Sequence, residues 1–415
     1  MTNRLTRNTG LLIFSNVGSA AFSLLLTVII ARAYGDQGLG IYALAAAWIH
    51  PISLIAEFGI GTLLTRDLAR EPDSAPMLLS AAIRARLLIG GAAFALVLLG
   101  APFISNDARV IAAVRISAPM ILILPFFSTF TAVFRARQRM QSIPFLNIGM
   151  IALQVIMTLF VVWIGGGLVG VLVANVLSSA VQLAAAYGVY RRGFMVKLSA
   201  HGESVPRLMR RAWHFACAAV FIAVQIRLSA ILLEAFASAS AVGQYTAASR
   251  FIEAARLIPN AFFGAFLPTL AALSLDPARL ALTFRRAMIG LGVFGLIGAF
   301  LLTFSAPLLI ALLFGDEFGG AVIPLQVLAW SLVGGLLRGG QTLYWYAQGR
   351  ERAVNLINAA VIPVQIALSL WLIPAYGAVG AAWVQVIVEL GAFAALWRPP
   401  SKQASPEGSP LYEAR

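Results

Sequence analysis

Apolar runs of about 20 residues, long enough to cross the ~30 Å hydrocarbon core of a bilayer as helices, alternate along the whole chain with short polar stretches. Six runs lie near 10–32, 41–65, 87–104, 110–134, 143–164 and 168–190. Six more lie near 212–235, 241–273, 287–314, 321–347, 351–373 and 377–397. The pattern predicts an all-α, polytopic membrane protein with about twelve transmembrane helices. The 241–273 run exceeds one span and is expected to be a kinked or tilted helix with an interfacial end.

The polar positions orient these spans. Of 30 Lys and Arg residues, 23 fall in the N-terminal segment (Arg4, Arg7) and in segments 66–86, 135–142, 191–211, 274–286, 348–353 and 398–415. Segments 33–40, 165–167, 236–243, 315–320 and 374–376 hold none, and the remaining loop holds only Arg109. Because Lys and Arg collect in cytoplasmic loops, both termini and the 191–211 linker are expected in the cytoplasm. Arg4 and Arg7 ahead of an apolar run imitate a secretory signal peptide. Eleven further spans make an uncleaved first helix the better reading.

Composition narrows the function. The chain is 60% hydrophobic and 11% charged, against roughly 25% charged in soluble domains. Its net charge of +14 is mostly loop arginine, so no nucleic acid is expected among its partners. A single cysteine, Cys217, excludes an intramolecular disulfide or a cysteine metal cluster, and His50, His201 and His214 lack metal-ligand spacing. No catalytic constellation, metal site or phosphate-cradling loop stands out, so neither an enzyme nor a cofactor is expected.

The chain also resembles itself. Gly40 and Tyr42 recur as Gly243 and Tyr245, 203 residues on, and Gly61 recurs as Gly264 at the same offset. Asn147 and Gln154 recur as Asn358 and Gln365 at an offset of 211, each pair followed by a glycine turn. These matches predict two six-helix bundles, 1–190 and 212–397, flanked by the linker 191–211 and a cytoplasmic tail 398–415. Six is even, so the halves enter the membrane from one face and form a parallel repeat, with a substrate site expected at their interface.

Charges inside spans are costly in lipid and mark functional candidates. Six arginines qualify, Arg32, Arg115, Arg227, Arg250, Arg256 and Arg338, against four acids, Glu57, Glu234, Glu253 and Glu389. Arg32 and Arg115 lie near span ends, where snorkelling to the interface is an equal explanation. Arg250 or Arg256 could pair with Glu253 along one helix, and Arg227 with Glu234. Alternatively, several guanidinium forks converge on a phosphate-bearing substrate. Gln154, Gln365 and Asn358 are candidate sugar contacts, and Glu57 and Glu253 candidate sugar or coupling groups.

Several stretches resemble the polysaccharide-biosynthesis, or O-antigen, flippases of the multidrug, oligosaccharidyl-lipid and polysaccharide exporter superfamily. They are Ala31 to Gly35, Gly38 to Tyr42, Val242 to Tyr245, Phe314 to Phe318, and Leu372 to Ala382. The resemblance implies a transporter that moves an undecaprenyl-diphosphate-linked glycan across a bacterial inner membrane by alternating access, for O-antigen, capsule or exopolysaccharide synthesis. It further implies a V of two bundles with cavity arginines for the pyrophosphate, and other polysaccharide assembly proteins as partners. A drug or cation antiporter of the same superfamily would want carboxylates in the cavity, and the first span has none. A membrane-embedded polymerase or glycosyltransferase would need larger external loops or catalytic acids at the membrane face.

Overall fold

A computed structural model of the chain describes residues 2–139, 141–194, 203–273 and 276–397. The expected tail and the middle of the linker fall outside these residues. Among the described residues all regular structure is helical: α1 (Thr2–Glu57), α2 (Ile60–Arg70), α3 (Ala75–Gly100), α4 (Ala108–Ser117), α5 (Met120–Ala136), α6 (Ser142–Trp163), α7 (Gly167–Gly193), α8 (Val205–Phe236), α9 (Ala239–Ala255), α10 (Leu257–Ala272), α11 (Pro277–Leu313), α12 (Val322–Ala347) and α13 (Glu351–Leu396).

Eight described segments are long and apolar enough to cross a membrane, and two of them, at 54 and 46 residues, have about twice the required length. The longer, Val17–Arg70, takes in most of α1 and all of α2, the other is α13, and each contains a sharp kink. α1 breaks at Gly35 (φ 68°, ψ −173°) and α13 at Gly377 (φ 54°, ψ −130°), where the sequence has its arginine-free turns. The outer surface carries large apolar side chains in the open, with Phe103, Trp163 and Phe304 between 80% and 92% exposed. Water would not tolerate such a surface. Hydrocarbon would, and the chain is a multi-pass membrane protein.

Two expectations change and one is met. The fourth predicted span, 110–134, is two helices: α4 ends at Ser117 and α5 begins at Met120, with Pro119, which has no N–H to give the ladder, between them. The long eighth span has the kink expected of it, α9 and α10 meeting at Arg256. Segment 66–86 is mostly helical, because α3 starts at Ala75, eleven residues ahead of Arg86. Arg86 is therefore an interior residue, 1% exposed.

The two halves of the sequence meet where α1 packs along α8 and α9. At the arginine-poor end α1 and α9 cross at Gly40 and Gly243. A Cβ on Gly40 would collide with the Ala239 carbonyl, and one on Gly243 with the Asp36 carbonyl. The contact is reciprocal: each glycine abuts the carbonyl four residues before the other. The Asp36 carboxylate reinforces it, accepting from Ser240 Oγ at 2.5 Å and Gln244 Nε2 at 2.8 Å. At the arginine-rich end, Leu208 and Ala212 of α8 join an apolar cluster with Ile60, Leu63 and Leu64 of α2. There Arg211 bridges Asp67 of α2 and Glu203.

Candidate functional site

Between these two contacts lies a cavity of about 520 Å³. Its walls follow from helical spacing. On α1, Tyr42, Ala46 and His50 recur every four residues and so share a face; on α9, Tyr245, Ser249 and Glu253 do the same. α6 adds Gln154, α8 adds Arg227 and α13 adds Gln385. Both halves of the chain therefore build the site.

Its charged lining is Arg227, Arg250, Arg256 and Glu253, three cations and one carboxylate. Arg250 Nη1 pairs with Glu253 Oε2 at 2.6 Å, while its buried Nε has no partner among the described residues. Arg227 turns away from Glu234 and points Nη2 at His50 Nδ1, 3.1 Å across the cavity. Glu234 accepts from Ser105 Oγ instead. Arg256 Nη2 reaches Glu389 Oε1 at 3.2 Å. Gln154 donates from Nε2 to the Tyr42 hydroxyl at 2.8 Å.

The remaining sequence candidates fall outside the cavity. Arg338 sits behind its wall, pairing with Glu389 Oε2 at 3.0 Å and donating to Asn358 Oδ1 at 3.0 Å. Gln365 donates to the Gln225 carbonyl between α13 and α8, a helix-to-helix bond. Arg32 donates to the Leu312 and Leu313 carbonyls, covering acceptors that the end of α11 leaves open. Arg115 donates to the Leu98 carbonyl. Glu57 belongs to another buried cluster. It accepts from Gly59 N, Gly61 N and Ser128 Oγ and faces Arg86 Nη2 at 3.4 Å, while Arg86 also donates to the Pro125 carbonyl and Thr129 Oγ1.

Among the lining residues that the sequence reading did not propose are Tyr42, His50, Asn175, Tyr245, Ser249 and Gln385. The available signal was polar residues recurring at helical spacing inside apolar runs. Tyr42 and Tyr245 also stand 203 residues apart, the spacing of Gly40 and Gly243.

A helical membrane protein whose two halves enclose a polar, cationic cavity has the construction of a transporter. The chain belongs to the polysaccharide biosynthesis protein family, whose profile matches residues 5–274. No curated protein matches the sequence. Among solved structures, the chain is similar to the lipid II flippase MurJ in an inward closed conformation, with TM-score 0.78 and 14% identity over 92% of this chain and 86% of that one. It is also similar to an inward-facing multidrug resistance MATE family transporter of the MOP superfamily, with TM-score 0.74 and 14% identity over 91% and 92% of the two chains. A MOP superfamily transporter from Pyrococcus furiosus, described by the reverse polarity of its binding pocket, gives TM-score 0.64 and 14% identity over 94% and 93%. At these identities the likeness concerns the fold.

Proposed function

We propose that the protein is a flippase that moves a polyprenyl-diphosphate-linked oligosaccharide across the bacterial inner membrane for surface polysaccharide synthesis, by alternating access and without covalent catalysis. The observation that carries this reading is the cavity charge: three guanidiniums stand against one carboxylate, and Arg227 faces an imidazole. A membrane interior tolerates such an excess only if it serves something, and planar two-pronged donors match diphosphate oxygens. Amide and hydroxyl groups nearby, Gln154 and Gln385 among them, suit a sugar.

In this reading the arginine-rich end faces the cytoplasm and holds both termini, in keeping with a distribution of basic residues that is 22 to 1 once the buried Arg86 is left out. The reciprocal Gly40 and Gly243 contact favours two related units, 1–190 and 212–397. A cation antiporter fits the cavity poorly, because its net positive lining repels the substrate.

The test is complementation. In cells lacking the native protein, Arg227→Gln is expected to abolish surface polysaccharide while the protein remains inserted at the wild-type level. Full export by this variant and by Arg250→Gln and Arg256→Gln would overturn the anion site.

A further inference from the structure

Arg256, Glu389 and Arg338 form a chain leading out of the cavity wall. Arg256 lines the cavity, whereas Glu389 and Arg338 do not. The carboxylate between them is nearly enclosed, its side chain 8% exposed. It has more donors than one ion pair needs. Oε2 receives Arg338 Nη1 at 3.0 Å. Oε1 receives both Arg256 Nη2 at 3.2 Å and Gln385 Nε2 at 3.1 Å. Arg338 is itself braced by Asn358.

We propose that Glu389 parks Arg256 at the cavity wall and that a diphosphate draws Arg256 away, while Arg338 and Gln385 keep both carboxylate oxygens satisfied. The proposal rests on the anion reading above. Its physical basis is the cost of a buried carboxylate left without a cation, which is large. With Arg338 on Oε2 and Gln385 on Oε1, the departure of Arg256 leaves no bare charge and no unmade hydrogen bond. A guanidinium so held can change partners cheaply.

The surroundings match an arginine that moves. Its backbone lies at the junction of α9 and α10, where the Arg256 N–H closes on the Ile252 carbonyl at 3.0 Å, so the main chain is fixed while the side chain projects. Opposite it stands Gly335, where an added Cβ would come within 2.9 Å of Arg256 Nη2. In this scheme Arg338 and Glu389 are positioning residues. Their effect on the substrate passes through Arg256.

The experiment measures binding of farnesyl diphosphate to the purified full-length protein in lipid nanodiscs, with monodispersity and thermal unfolding recorded for every variant. Arg338→Gln is expected to weaken binding about tenfold, the effect of a coupling near 1.4 kcal/mol, because Arg256 becomes the one cation left to Glu389 and cannot leave. Adding Glu389→Gln to that variant removes the charge that traps Arg256 and is expected to restore affinity to within about threefold of wild type. A merely structural role for Arg338 predicts that binding follows thermal unfolding across the variants, whereas the exchange predicts the tenfold loss in Arg338→Gln protein that is folded and monodisperse like wild type. Arg338→Gln binding like wild type, or the double variant binding no better than Arg338→Gln, would overturn the exchange. If Arg256→Gln binds normally while Arg227→Gln does not, the exchange fails and the cavity reading stands; no binding by wild type ends both.

Discussion

Arg227 is the cavity cation with the weakest local reason to exist. Its bond to His50 offers no opposite charge, whereas Arg250 and Arg256 each meet a carboxylate. Arg227→Lys keeps the charge but loses the two-pronged geometry. Export is expected to fall well below wild type and to exceed that of Arg227→Gln, read as surface polysaccharide per unit of inserted protein. Arg86 provides the contrast. It is enclosed and bound to Glu57, Thr129 and the Pro125 carbonyl, so Arg86→Gln should destabilise the protein by about 3–5 kcal/mol. Glu253, with a side chain 61% exposed in its pair with Arg250, should cost no more than about 1 kcal/mol as Glu253→Gln. Thermal unfolding of the purified variants checks both. These residues also mark what a sequence discloses. Arg227, Arg250 and Arg256 were legible because an arginine inside a 20-residue apolar run has few explanations. Arg86 was not, since α3 begins well before its apolar stretch does. Nor was the role of Glu389, whose partners lie 133 and 51 residues away along the chain.

At the scale of elements, hydropathy located most spans but could not see where a helix is interrupted without a polar residue. The break at Pro119 sits inside a run that reads as continuous, because apolarity reports burial in lipid and is silent about backbone hydrogen bonds. The crossing of α1 and α9 was half legible. Gly40 and Gly243 stood out in the sequence as matching positions 203 residues apart, and their contact with each other depends on how α1 and α9 face. With carbonyls against both glycines, Gly40→Ala or Gly243→Ala must push the helices apart. Either substitution is expected to raise reactivity of a cysteine placed at Ser240 toward a membrane-impermeant maleimide, in a Cys217→Ser background. Unchanged labelling would mean that the helices separate too little to matter.

For the whole molecule, the distribution of arginine should decide orientation. A periplasm-active reporter fused after residue 239 is expected to be active, and one fused after residue 200 silent. The reverse pattern would invert the cavity's access and the proposed direction of transport. The halves touch beyond both ends of the cavity, through glycine backbone at one end and through apolar side chains with the Asp67, Arg211 and Glu203 ion pairs at the other. The second contact contains charges that water can solvate, so it is the one expected to open more readily.

The Gly40 and Gly243 contact makes a lever of α1. From Gly40 to its end at Glu57, just before the Gly59 elbow where Phe215 of α8 presses against the chain, the helix runs roughly 25 Å at ~1.5 Å per residue. A tilt of about 15°, the size of rigid-body rotations in switching proteins, would carry that elbow about 6 Å. The motion at the crossing itself would be a fraction of that, small enough for two touching backbones to roll over one another without parting. The glycines thus set the gearing: a short arm that stays sealed, and a long arm whose swing is wide enough to unseat Phe215 and admit a headgroup.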